Sequence, residues 1–253
     1  MASQNAPSPS QASKPVVPKT KVKTTWPSVP PNADRTPIRT ERLLLRPFEA
    51  ADVEAVYELR QQPEVMIFTL SGIIDGDISE SRTFVERFLP PKDTATYNFV
   101  AVYLGDDDKS GNADAKGVVI GVGGAHKTTP HLGWPEVGYM FRKEYWNKGF
   151  ATEFLRAFSK AWWALPRTDV EIEVPTASVE GRGGDKTAEN DGDVIEVQEL
   201  LTAIIDANNI GSRRVLEKAG FKEYIQWKEP DSRAGFEGLD VTLASFLLTA
   251  PES

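Results

Sequence analysis

The run Tyr145-Trp146-Asn147-Lys148-Gly149-Phe150-Ala151-Thr152 decides how this chain is read. Just before it, Glu136 to Phe141 mixes β-branched and aromatic residues and predicts a buried strand. Just after it, Phe154, Leu155, Phe158, Ala161 and Trp162 recur at the spacing of one apolar face of a helix. The order is therefore strand, glycine turn, helix. A helix start exposes backbone N–H groups that have no partner within the helix, and a glycine lets a ligand approach them, so the turn suits phosphate oxygens. A tight turn without a ligand has the same sequence. Neither three spaced glycines nor a Gly-Lys-Ser/Thr run occurs here, which excludes a dinucleotide fingerprint and a Walker loop.

A second stretch narrows the choice. Leu200 to Ile205 is an apolar run, and from Asn209 the chain reads Asn-Ile-Gly-Ser-Arg-Arg-Val-Leu-Glu-Lys-Ala-Gly-Phe, ending at Phe221. Strand, glycine cradle and helix, followed by strand, Asn-x-x-Ser helix and Gly-Phe, resemble the GNAT superfamily of acyl-CoA-dependent N-acetyltransferases. That family's cradle pattern, Arg/Gln-x-x-Gly-x-Gly/Ala, falls on Trp146, Gly149 and Ala151. Trp146 departs from the first position, but an aromatic residue there is typical of the branch represented by the ribosomal-protein acetyltransferases RimJ and RimL. Thr40-Glu41-Arg42-Leu43-Leu44-Leu45-Arg46-Pro47 also looks like that branch's first strand. The resemblance spans roughly Thr36 to Leu248. It implies an α/β fold with a mixed, mostly antiparallel central sheet and helices on both faces. It also implies that the strands ending near Phe141 and Ile205 splay apart where acetyl-CoA enters.

Composition agrees with one domain and its attachments. The 253 residues are 40% hydrophobic, enough for a sizeable core, and no apolar run is long enough to cross a membrane. A net charge of −8 argues against nucleic acid as a partner. Cysteine is absent, which removes disulfides, thiolate zinc sites and an acyl-cysteine intermediate and points to an intracellular, cytoplasmic protein. Residues 1–35 are rich in Pro, Ser and Lys and predict a disordered tail, with Lys14, Lys19, Lys21 and Lys23 read as a solvated linker rather than an address. The single acetyltransferase domain is then 36–250. Pro175 to Val194 has almost no large apolar residues, so a flexible insertion is expected at about 175–195.

Between these, strands are predicted at Arg42 to Phe48, Phe99 to Leu104 and Val118 to His126, and helices over Asp52 to Gln62 and Ser79 to Phe88. Asp52 is placed to cap the first helix. The acidic loop Asp106 to Asp108 lacks the distal Glu of a calcium loop and reads as a solvated turn, so no metal is expected. Gly121, Gly123 and Gly124 lie within a strand and indicate a bulge or close packing. Phe221 to Trp227 and Leu239 to Phe246 predict a closing antiparallel pair.

The resemblance assigns roles to particular residues. The cofactor pyrophosphate would lie on the cradle backbone Asn147, Lys148, Gly149, Phe150, Ala151 and Thr152, and backbone groups of Met140, Phe141 and Arg142 would pair with the pantetheine. The amide near Met140 would face the thioester oxygen. Asn209 would cap its helix and reach the cofactor. Glu136 stands where some members carry a base, and alternation puts it on one face with Gly138 and Met140; it also reads as a structural partner. His126 is the rival base. Many members place a tyrosine acid where this chain has Leu216, which leaves the Ser212 hydroxyl to assist the departing thiolate or simply to bond its helix turn. The expected activity is direct acetyl transfer from acetyl-CoA to a primary amine, such as a protein N-terminus. The competing readings are a non-catalytic acyl-CoA-binding module and an acetyltransferase for a small amine such as a polyamine or aminoglycoside.

Overall fold

The computed structural model describes residues 18–105, 117–126, 132–180 and 194–251. The chain enters through strand β1 (Lys19–Pro27), then the short β2 (Ile38–Arg39) and β3 (Leu43–Arg46). Helices α1 (Val53–Arg60), α2 (Pro63–Met66) and α3 (Ile78–Glu86) follow, then β4 (Thr96–Tyr103), β5 (Val118–His126) and β6 (Glu136–Phe141). After the central helix α4 (Phe150–Trp163) come β7 (Arg167–Pro175), the single-turn α5 (Thr176–Val179) and β8 (Ile195–Glu196). The chain closes with β9 (Leu200–Asp206), α6 (Ile210–Lys218), β10 (Lys222–Pro230) and β11 (Asp240–Thr249).

Eight strands form one sheet in the order β10-β11-β9-β6-β5-β4-β3-β2. Every neighbouring pair is antiparallel except β6 and β9, which run parallel. The α4 stripe packs on one face: Phe154, Leu155, Phe158 and Trp162 are all at 0% exposure, and each such side chain contributes roughly 1.5–3 kcal/mol of burial. Phe154, Phe158 and Trp162 stack at successive centroid distances of 6.0 and 6.1 Å. Leu216 of α6 and Phe246 of β11 complete this core. On the other face, Val53, Val56, Val85 and Phe88 from α1, α3 and the turn after it meet Leu44, Val100, Val102 and Val122 of the sheet. Close packing explains the strand glycines, since a Cβ on Gly121 would meet the Phe141 ring and one on Gly123 the Phe154 ring. A bulge between Ala101 and Val102 lies beside them.

Three expectations are corrected. Residues 19–27 are not disordered: β1 pairs with β7 along its whole length, and with β8, in a separate three-stranded sheet of order β7-β1-β8. Val22 and Thr24 point inward while Lys19, Lys21 and Lys23 are exposed, Lys21 and Lys23 opposite Glu173 and Glu171, so the lysines form the solvated face of a strand rather than a linker. The expected insertion at 175–195 is ordered at both described ends. Ser178, at 0% exposure, accepts a hydrogen bond from Trp134 Nε1 (2.9 Å) and donates to Pro175 O (2.6 Å), and β8 joins β1; residues 181–193 lie outside the described residues, as do Lys14 and the acidic loop. The small sheet is tied down by Glu199, whose carboxylate accepts from Thr25 Oγ1, Trp162 Nε1 and Arg167 Nε. Third, Asp52 does not cap α1 from its first position. It ends a 3-10 turn, takes Glu49 N–H (2.8 Å) and pairs with Arg46 at 2.5 Å.

Candidate functional site

The turn before α4 has the local geometry its sequence predicts: a glycine turn, then a helix start. A 3-10 turn, Lys143–Tyr145, leads to Asn147 at φ 59° and Gly149 at φ 85°, and α4 starts at Phe150 with no side-chain cap. The left-handed geometry at residue 149 favours glycine, and the first-turn amides of α4 keep no intrahelical acceptor. Arg42, whose motif had carried only a resemblance, clamps this turn from outside. Its guanidinium donates to Lys148 O (3.0 Å) and to Glu153 (2.8 Å), and lies 4.2 Å from the Phe150 ring centroid. Glu153 also accepts from Thr40 Oγ1 (2.6 Å) and Arg42 N (2.9 Å). Burial raises the Glu153 pKa, but these hydrogen bonds and the Arg42 charge outweigh it and hold the carboxyl below its ordinary value. The Lys148 ammonium sits 5.6 Å from the Tyr145 ring, and Lys148 does not line the main cleft.

That cleft, of about 990 Å³, starts at Gly149, Phe150, Ala151 and Thr152 and runs through the sheet. It passes where β6 and β9 part. The two strands pair in register only at Glu136 and Thr202, where Thr202 N–H bonds Pro135 O at 2.8 Å, and each continues beyond that point. Which backbone groups face the opening follows from the pairing with β5. Arg142 N–H bonds Ile120 O (2.8 Å), so by the antiparallel alternation Met140 also turns its backbone toward β5. Met140 and Arg142 therefore do not offer the amides expected of them. Tyr139 and Phe141 face the opening instead, across from Ile204. The Phe141 carbonyl is already held by Trp146 Nε1 at 2.7 Å, and the Arg142 side chain reaches Glu58 and Ala55 O, both on α1.

Two groups meet inside the opening. Asn209 Oδ1 accepts Ser212 N–H (3.0 Å), which makes Asn209 the cap of α6. The Ser212 carbonyl, rather than a demonstrated role for its hydroxyl, accepts the Tyr139 phenol at 3.4 Å. Burial pushes the Tyr139 phenol well above its ordinary pKa, so it stays protonated. Leu216 is wholly buried in the core. Tyr139 was missed because alternation along β6 assigns its side chain to the core face, and only the docking of α6 brings its hydroxyl to the gap.

At the far end, Glu136 and His126 are cross-strand partners on adjacent edges of β5 and β6, so the two rival bases stand side by side and both line the cleft. His126 ends β5 with an exposed side chain, and partial desolvation and then the Arg87 charge lower its pKa, which favours the neutral imidazole at pH 7. Beyond them the walls are Val65, Phe68, Leu70, Phe84 and Phe88. Arg233, from the β10–β11 hairpin, closes the top by donating to Ile67 O (2.8 Å) and pairing with Asp206 (3.0 Å) and Asp231 (2.5 Å). Among the described residues, no group of three or more His, Cys, Asp or Glu is arranged to hold a metal. Among the same residues, no helix is long and apolar enough to cross a membrane.

An acetyltransferase (GNAT) domain matches residues 42–222. The chain belongs to the GNAT acetyltransferase family. No curated protein matches it in sequence. Among solved structures it is similar to a GNAT-family acetyltransferase from Bacillus anthracis, with 22% identity, a TM-score of 0.56, and coverage of 85% of this chain and 98% of that one. RimJ of Mycobacterium smegmatis, in complex with CoA-disulfide, is 16% identical with a TM-score of 0.55 and coverage of 86% and 89%. Spermidine N-acetyltransferase of Vibrio cholerae, in complex with CoA and spermine, is 13% identical with a TM-score of 0.54 and coverage of 83% and 96%. At these identities the likeness is one of fold: the mixed sheet, its flanking helices and the parallel strand pair. It does not separate a RimJ-like acetyltransferase from a polyamine one.

Proposed function

We propose that this GNAT protein is an acetyl-CoA-dependent N-acetyltransferase in which a primary amine attacks the thioester directly, with no acyl-enzyme. The observation that carries this reading is the parting of β6 and β9, which joins the uncapped, glycine-led start of α4 to the Glu136–His126 pair through one continuous cleft. Acetyl-CoA supplies an activated acetyl group and a thiolate leaving group. The amides of Phe150, Ala151 and Thr152 suit its pyrophosphate, as backbone donors without partners in their own helix do. The β6 edge at Tyr139 and Phe141 offers strand-like pairing and an amide for the oxygen on which negative charge grows.

The amine must be neutral to attack. An α-amine, at about pKa 7.7–8.0, loses its proton far more readily than a lysine at about 10.4. Glu136 or neutral His126 takes the proton released as the N–C bond forms and the C–S bond breaks. The Tyr139 O–H, turning from the Ser212 carbonyl, offers the departing thiolate a hydrogen bond while keeping its proton. A thiol of pKa about 8.5 asks for little help, so the loss of the helix tyrosine at Leu216 does not argue against turnover. The RimJ/RimL-like opening Thr40 to Pro47 supports an acceptor on a protein chain, and use of acetyl-CoA supports an intracellular site of action.

Calorimetric titration with acetyl-CoA and with CoA tests the reading, beside a Gly149→Glu variant that puts a carboxylate and a strained backbone into the cradle. Micromolar binding lost in the variant is expected, together with release of CoA thiol when an amine is added. Tyr139→Phe is expected to bind acetyl-CoA unchanged and release thiol more slowly. Folded wild-type protein that binds no acetyl-CoA sinks the transferase reading, and binding without thiol release from any amine leaves an acyl-CoA-binding module.

A further inference from the structure

The acceptor end of the cleft sets an apolar wall, Val65, Phe68, Leu70, Phe84 and Phe88, beside the carboxylates of Glu136, Asp206, Glu229 and Asp231. Among the described residues, five of the ten exposed large hydrophobic ones fall within the one loop after α2: Ile67, Phe68, Leu70, Ile73 and Ile74, with Leu70 at 90% exposure. Phe68 and Leu70 line the cleft. The loop is not a slack segment free to fold these side chains inward. At its end the buried Asp75 is gripped by Arg60 (2.5 Å), Ser81 Oγ (2.5 Å) and Gln61 Nε2 (2.7 Å). In its middle, Ala234 N–H bonds Ser71 O, and Arg233 Nη1 bonds Ile67 O. Polar anchors thus hold a cluster of apolar side chains out in water at the mouth of the site, an arrangement that marks a contact surface.

The charges at this end point the same way. One guanidinium, Arg233, pairs with both Asp206 and Asp231, Glu229 accepts the Trp227 indole N–H, and Arg87 places a cation near His126. A polycation needs several carboxylates turned toward it, and of the four that line the cleft, Glu136, Asp206, Glu229 and Asp231, two already share the Arg233 guanidinium.

Resting on the acetyltransferase reading above, we propose that the acceptor is a peptide α-amine followed within its first residues by large apolar side chains, which lie on Phe68 and Leu70 while the amine reaches the Glu136–His126 pair. Ile67, Ile73 and Ile74 extend the apolar surface beyond the residues that line the cleft, which favours a chain over a small apolar amine.

The test uses four probes: two peptides of equal length with Leu-Phe or Ser-Asp at positions two and three, 2-phenylethylamine, and spermine. Thiol release gives kcat/KM for each, and calorimetry gives peptide affinity with and without CoA, for wild type and Leu70→Asp. The Leu-Phe peptide is expected to lead the Ser-Asp peptide by about tenfold or more, the scale of an apolar pocket contact. Leu70→Asp should erase that lead without moving acetyl-CoA affinity. Spermine or the Ser-Asp peptide equalling the Leu-Phe peptide overturns the inference, as does phenylethylamine matching it or a lead that survives Leu70→Asp. Selective peptide binding without thiol release would break the transfer reading and leave the peptide assignment standing. Thiol release without selectivity would do the reverse.

Discussion

The two ends of the cleft are held by opposite means. At the cradle, side chains work from outside: Arg42, Thr40 and Glu153 lock the turn so that its backbone faces the opening. At the acceptor end the backbone is tied by Arg233 and Asp75, and it is side chains that face the opening. A ligand with invariant phosphates can be met by main-chain amides, which no substitution alters directly. A variable acceptor is met by side chains, which substitution changes at once. The contrast predicts that the cradle and the acceptor loop fail separately when each clamp is removed.

The largest effect belongs to Arg42→Ala. It removes an ion pair with Glu153 at 2.6 Å, the bond to Lys148 O and the contact with Phe150. With hydrogen bonds to charged groups contributing about 1.5–3 kcal/mol, stability in urea should fall by about 2–3 kcal/mol. Acetyl-CoA affinity should weaken about tenfold or more as the cradle loosens. The ranking of acceptors should not change. An Arg42→Ala protein that alters acceptor ranking while keeping its acetyl-CoA affinity would show that the two ends are not separate.

This difference between the ends also explains what the sequence disclosed. The α4 stripe and Gly149 were legible because helix periodicity and a left-handed turn are local properties, and α4 indeed begins one residue after Gly149. The β10–β11 pair was legible for the same reason. β1 was not. Its single large inward residue, Val22, gives a weak alternation, and its partner strand β7 lies far along the chain. The face shared by Glu136, Gly138 and Met140 could be read from alternation, but the direction of their backbone groups could not. That depended on the pairing of residue 142 with residue 120, so the expected set Met140, Phe141 and Arg142 shares only Phe141 with the pair, Tyr139 and Phe141, that faces the opening. Arg233 was invisible for a further reason: its bond to Ile67 spans 166 residues and leaves no trace in either local pattern.

A smaller effect, dependent on pH, separates charge from shape at the cradle. The folded-state pKa of Glu153 lies below its ordinary value of 4.5. Its contribution is therefore fully present above that value and is lost as pH falls through the folded-state pKa. Glu153→Gln keeps the shape and removes the charge, so at pH 7 it should cost about 1–2 kcal/mol in urea denaturation. The gap between variant and wild type should narrow below about pH 4.5 and close at lower pH. A gap that stays constant from pH 7 to pH 3.5 would mean that Glu153 acts through packing alone.

The smallest effect is the most specific to the acceptor end. Gly72 has φ 72°, and a Cβ there would lie 2.6 Å from Arg233 Cβ, an atom near the backbone that cannot swing aside as a side-chain tip can. Gly72→Ala must therefore push the loop away from the β10–β11 hairpin, in addition to the roughly 1–2 kcal/mol cost of a left-handed alanine. The displacement acts where Arg233 joins Ile67 O to Asp206 and Asp231, so the apolar cluster should shift relative to the Glu136–His126 pair. A rise of a few-fold in acceptor KM is expected, with stability lowered by at least the roughly 1–2 kcal/mol of the left-handed alanine and acetyl-CoA affinity unchanged. Stability loss alone, with acceptor KM unmoved, would show that the clasp between loop and hairpin supports the fold without setting the position of the acceptor. A parallel loss of acetyl-CoA affinity would show that loosening this end reaches the cradle through β9, whose last residue, Asp206, is held by the same guanidinium.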